Sequence, residues 1–188
     1  GHSRIEAVTL ASIGDLYSDL EAAAAALDAY RQAREIARQI DHHFLLFYLD
    51  LAEASLARAR GDLDRANELL ESTRKRVEST GSTYERGLYA LESGRLALAE
   101  SRIAEAITHL ELAVDALQSD GQHVEAARAL LFLAQARAAG DEQSAFTTLE
   151  SAFALAGKLD SRHTLVVAGR EVEGLLKDTR RHPVIGRE

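Results

Sequence analysis

The chain of 188 residues contains no cysteine, no methionine and no tryptophan, and its single proline is Pro183. Without cysteine there is no disulfide, no thiolate nucleophile and no zinc–thiolate site. With proline confined to the last six residues, nothing upstream forbids long helices. Aromatic residues make up only 5% of the chain, and valine, isoleucine and threonine are too scattered to give alternating strands. No apolar run reaches bilayer length, and no signal-peptide pattern opens the chain. A net charge of −8 disfavours a nucleic-acid surface, which needs a basic stripe to displace phosphate counterions. These absences predict an all-α, cytoplasmic protein with no membrane and no direct nucleic-acid partner. The lack of methionine also makes Gly1-His2-Ser3 read as a cloning remnant on an excised piece of a larger chain.

What is abundant is alanine, leucine, glutamate and arginine, in a pattern that repeats. Within Ala57–Leu70, the run Gly61-Asp62-Leu63-Asp64 interrupts two helical segments. Glycine can take a left-handed helix cap and aspartate can accept from the free N–H groups of the next helix, so the run predicts a tight turn. The unit recurs about every 40 residues. Ala26, Ala66, Ala106 and Ala145 each open the apolar face of a second helix. A large residue follows four later (Tyr30, Leu70, Leu110, Leu149), and a small one three after that (Ala33, Thr73, Ala113, Ala152). Such self-similarity marks a helical solenoid. The repeats fall at about 4–40, 42–80, 82–120 and 122–159. A capping helix is expected at 163–178 and a flexible tail at 179–188, giving a single repeat domain over 4–178.

Leu10, Ile13-Gly14, Tyr17, Ala26, Tyr30 and Ala33 resemble the tetratricopeptide-repeat pattern of large, Leu-Gly, Tyr, Ala, aromatic, Ala. The period exceeds that family's usual 34 residues, which adds roughly a turn to each helix. The alanine-rich, GDLDRA-type repeats are similar to those of bacterial multidomain transcription regulators of the maltose-activator (MalT-like) type. The resemblance covers about residues 4–160. It implies a right-handed superhelical solenoid of about four antiparallel helix pairs whose first helices line a concave groove. It also implies a signalling or scaffold role in which that groove takes a protein, a peptide or a small effector. Carried over slot by slot, the lining comprises Ala11, Asp15, Ser18 and Asp19, then Tyr48, Leu51, Ser55 and Arg58. Leu91, Arg95 and Leu98 follow in the third repeat, and Leu130, Ala134 and Arg137 in the fourth. Repeats that clamp a chaperone's C-terminal carboxylate carry Asn directly after the Leu-Gly pair. Here that residue is Asp15, which repels a carboxylate. The alternative is a self-standing adaptor that binds peptides or forms a homodimer through a solenoid end.

Other residues invite chemistry but have plainer readings. Asp50 and Glu53 stand where the pattern places large apolar residues. Either this helix is rotated about its axis or two carboxylates face the groove; their shared stripe with Arg60 favours rotation, with the stripe in solvent. His42-His43 point about 100° apart and read as residues of a helix start, not as a metal grip. Ser82 with Glu85 reads as a capping box. Arg74-Lys75-Arg76 complements a helix dipole or docks an acidic partner. Phe44, Phe47 and Tyr48 read mainly as core. No nucleophile has a partner in sequence and no phosphate-binding loop occurs, so neither an enzyme nor a cofactor is expected.

Overall fold

The computed structural model describes residues 1–157 together with 169, 170, 172 and 173, and holds eight α-helices and no strand among them. These are α1 (His2–Asp19), α2 (Ala23–Gln39), α3 (His43–Ala59), α4 (Leu63–Thr80), α5 (Thr83–Ala99), α6 (Ile103–Ser119), α7 (His123–Ala138) and α8 (Glu142–Ala156). Helices α2, α4 and α6 begin at residues 23, 63 and 103, and α3, α5 and α7 at 43, 83 and 123. The period read from the sequence is therefore the period of the helices. No described helix is long and apolar enough to cross a membrane. The expected tail lies outside the described residues, as does the capping helix apart from four residues, of which Val172 is buried with the core of α5–α8.

The turns explain why the helices stop where they do. Glu21, Asp41, Gly61, Ser101 and Gly121, spaced by the helical stride, all have positive φ, from 52° to 79°. At each, the following N–H reaches five residues back, as from Asp62 to the Ala57 carbonyl at 2.9 Å. The left-handed residue's own N–H reaches three back, as from Gly61 to the Arg58 carbonyl at 2.9 Å. This is the Schellman closure, which satisfies the last carbonyls of a helix. Glycine adopts it without a Cβ clash, whereas an L side chain is strained there by roughly 1–2 kcal/mol. Ser101→Gly should accordingly raise the unfolding free energy by about 1 kcal/mol, read from the urea midpoint. A loss would mean that the Ser101 side chain, not its backbone, holds this turn.

The chain divides into two compact units, Gly1–Lys75 and Arg76–Glu188. In the first, α1 packs on α2 and α2 on α3. In the second, α5, α6, α7 and α8 pack consecutively. All twelve repeat positions named above, from Ala26 to Ala152, are buried. Small residues sit where helices approach most closely. A Cβ on Gly94 would stand 2.5 Å from Leu110 Cγ, and one on Gly14 2.3 Å from the Tyr30 ring. Two repeat periods apart, the two glycines show the same device: a small residue in a first helix receives the large residue that stands four after the alanine opening the second helix's apolar face.

The helix starts follow the sequence reading. His42 caps α3, its Nδ1 accepting from the Leu45 N–H at 3.3 Å. Ser82 and Glu85 form the expected capping box at α5: Ser82 Oγ accepts from Glu85 N–H at 3.2 Å, and Glu85 Oε2 accepts from Ser82 N–H at 2.9 Å. Burial pushes the Glu85 carboxyl up, but hydrogen bonds from Ser82 and Arg76 outweigh it and hold the group below the usual carboxylate range. A depressed folded pKa contributes stability that is present above the unfolded value, near 4.3, and lost as pH falls through the folded value. Glu85→Gln should thus lower the melting temperature at pH 7, and the gap to wild type should close as the buffer is taken from about pH 5 to pH 3. A gap that stays constant over that range would show that the charge of Glu85 contributes nothing.

Candidate functional site

In the first unit the polar residues of the expected groove turn toward one another. Asp15 on α1 accepts from the Tyr30 hydroxyl of α2 at 2.9 Å and from the Tyr48 hydroxyl of α3 at 2.7 Å. One carboxylate thus ties three helices together. Burial first, then the charge and hydrogen bond of Asp15, push the Tyr30 phenol far above its ordinary value, so it stays a neutral donor. Asp15 and Tyr48 were both expected to face a ligand; the fold brings them together and uses their polar atoms internally. Ser18, Asp19, Ser55 and Arg58 are half-buried, while Ala11 and Leu51 are buried.

Asp50 and Glu53 correct the sequence reading. They do not lie in a wet stripe with Arg60, which is exposed. Both pair with Arg34 of α2. Arg34 donates to Asp50 Oδ1 at 2.6 Å and to Glu53 Oε1 at 2.7 and 3.2 Å. The side chains of Arg34, Asp50 and Glu53 are only 16%, 24% and 20% exposed. Burial pulls the Arg34 guanidinium down, yet its hydrogen bonds to Glu53 and Asp50 outweigh this and raise its pKa. The triad was missed because helical periodicity describes one helix at a time. The available signal was compensation: two carboxylates at apolar slots, with an arginine 16 and 19 residues upstream.

The second unit places its charges on the facing first helices α5 and α7, which touch each other. Arg95 and Glu92, both buried on α5, form an ion pair. The Arg95 guanidinium lies 4.8 Å over the Phe132 ring of α7, and Arg128 of α7 stands 3.9 Å from the same Glu92 carboxylate. Arg95 was named from the sequence, whereas Glu92, Arg128 and Phe132 were not. Arg137 donates to Thr148 at 2.7 Å and to Glu111 at 2.6 Å.

Leu91, Leu130 and Ala134 were expected to line the groove and instead belong to the core of the second unit; Leu98 remains half-buried. The physical reason is that a first helix packs on neighbours on more than one side. Helix α7, for example, buries nine of its residues from Ala126 to Ala136. A slot aligned by spacing alone does not stay open.

The remaining candidates make local contacts, and since the last turn of α4 holds no basic residue, Arg74-Lys75-Arg76 does not complement its dipole there. Arg74 pairs with Glu71 at 2.8 Å and Arg76 with Glu85 at 3.2 Å. Phe47 is fully buried, while Phe44 remains partly exposed with its ring 6.2 Å from that of Phe47. His109 stands 3.6 Å from Glu105, and no group of three or more histidine, aspartate or glutamate residues among those described is placed to hold a metal ion. Compared with protein-family models, curated proteins and solved structures, the chain matches none of them.

Proposed function

We propose that the chain is a non-catalytic binding module whose helix pairs wind as a right-handed solenoid of the tetratricopeptide kind. In this reading it serves a cytoplasmic signalling or transcription regulator, and its concave side takes an acidic peptide segment of a partner protein. A small carboxylate effector is the same chemistry in another carrier.

The observation that carries the reading is the cluster on α5 and α7. Two guanidiniums share the Glu92 carboxylate, Arg95 is held flat by Phe132, and the Arg128 side chain is still 24% exposed. Guanidiniums gathered at one place on an acidic chain (net charge −8) offer forks that suit a carboxylate. Leu98 and Arg137 extend the same first helices, and the internal use of Asp15 argues against a ligand carboxylate at the first repeat.

The test is a thermal-shift and calorimetric titration with matched acidic and basic peptides and with small di- and tricarboxylates. An acidic ligand should raise the melting temperature, lose affinity as salt rises, and bind roughly tenfold more weakly to Arg128→Gln. Preference for the basic peptides, or acidic binding that ignores Arg128→Gln, would overturn the reading.

A further inference from the structure

We propose that Glu92 is a built-in competitor at the α5–α7 anion site: it stands against Arg128 where a ligand's carboxylate binds, and binding exchanges one carboxylate for the other. This rests on the reading that the site takes an acidic segment. It adds which arginine the ligand meets and what holds that arginine in reserve.

The repeat shows where this contact comes from. Asp15 and Tyr48 stand two repeat periods before Arg95 and Arg128, just as Gly14 stands two before Gly94. In the first unit these positions of consecutive first helices carry a carboxylate and a phenol, which join directly at 2.7 Å. In the second unit both carry guanidiniums, which have no acceptor to offer each other and repel. An acid between them relieves this, and Glu92 supplies it from one turn before Arg95. That acid is not part of the repeat, since the matching positions hold Ser12 and Ala52. It is an addition peculiar to the second unit, and it has the chemistry of the proposed ligand.

Burial decides which arginine can make the exchange. The Arg95 side chain is 3% exposed and that of Glu92 10%, and Phe132 covers the Arg95 guanidinium. Drawing Arg95 outward would strip a buried cation of its carboxylate and of the ring. Arg128 is different. Its side chain reaches solvent, and its Nη2 stands 3.9 Å from Glu92 Oε1, beyond hydrogen-bond reach. Turning Arg128 toward a ligand gives up a charge contact with Glu92 rather than a hydrogen bond to it, and Glu92 keeps its ion pair with Arg95. Glu92 therefore weakens binding twice: it attracts Arg128 before the ligand arrives, and it repels the ligand's carboxylate afterwards. Arg95 and Phe132 position Glu92 and do not touch the ligand.

The test is calorimetric titration of the 188-residue chain with an end-blocked hexaglutamate peptide at pH 7 and fixed salt. Glu92→Gln keeps the shape and an acceptor for Arg95, and it should bind the peptide roughly tenfold more tightly than wild type. Damage to the fold would lower the affinity, so a gain is a readout that a merely structural role does not give. Glu150→Gln, at an exposed residue of α8, changes the net charge equally and should alter the affinity less than about twofold. Glu92→Gln combined with Arg128→Gln should bind no more tightly than Arg128→Gln alone, because the gain acts through Arg128. In wild type, the Arg128 side-chain Nε–H signal, assigned by its loss in Arg128→Gln, should shift along the calorimetric saturation curve. That readout does not depend on how Glu92→Gln folds. If wild type binds through Arg128 but Glu92→Gln binds no more tightly, or its gain survives without Arg128, the competitor is overturned and the binding reading stands. A stationary Arg128 signal at saturation overturns the exchange as well. If neither wild type nor Glu92→Gln binds hexaglutamate at about millimolar concentration, both fall together.

Discussion

Arg34→Met is expected to lower the unfolding free energy by about 2–4 kcal/mol, the largest effect of any single polar substitution in the first unit. Methionine keeps most of the volume and the apolar stem, so the loss isolates the charge. It leaves Asp50 and Glu53, both more than three-quarters shielded from solvent, with no cation between α2 and α3. Two carboxylates then share a half-buried site without the guanidinium that held them both, and their mutual repulsion adds to the desolvation each suffers. The partner substitutions provide the check. Arg34→Met with Asp50→Asn and Glu53→Gln should recover a large part of the loss, because neutral amides do not repel and cost less to shield. Urea unfolding of wild type, the single variant and the triple variant measures this directly. If Arg34→Met costs under about 0.5 kcal/mol, the triad is a surface ornament of the kind whose median worth is near zero.

Gly94→Ala is expected to destabilise the second unit by roughly 1–3 kcal/mol, although alanine is the better helix former by about 1 kcal/mol. The added methyl would meet Leu110 Cγ at 2.5 Å. Leu110 is fully buried, and its branch point cannot swing aside as a flexible chain end would. The backbones of α5 and α6 must separate instead. Leu110→Ala alone should cost about 2–5 kcal/mol through the cavity it leaves. Adding Gly94→Ala to Leu110→Ala should then be neutral or favourable, since the clash is gone and the propensity gain remains. That reversal of sign distinguishes a steric contact from a general loss of helix packing. A Gly94→Ala chain as stable as wild type would mean that α5 and α6 approach less closely than the small residue requires.

Much of this was legible in the sequence because it is written locally. Gly61 and Asp62 mark a turn whatever surrounds them, since a left-handed cap and an N-terminal acceptor are properties of those residues themselves. Ser82 and Glu85 form a capping box within four residues. The alanines at 26, 66, 106 and 145 announce a close packing surface because the spacing that places them on one helical face is set by the helix, not by the neighbour. The candidate groove was far less legible. Leu51, Leu91 and Leu130 look alike in sequence whether they line a cleft or a core, because a leucine faces either with the same periodicity. Asp50 and Glu53 looked solvated for a similar reason: their stripe is polar, and a polar stripe is wet unless another helix brings a cation to it.

The sequence by itself determined that the chain is helical, that its helices recur with a period of about 40 residues, and where turns such as those at Gly61 and Ser82 fall. Those properties follow from backbone sterics, capping and periodicity, all of which act within about one turn of the residue concerned. Only the tertiary structure decided that Asp15 would be held by Tyr30 and Tyr48, that Arg34 would reach across to α3, and that Arg95 would lie on Phe132. Each of these joins side chains on different helices. Whether such groups meet depends on how helices rotate and approach as their apolar faces pack, which no single helix carries within its own spacing.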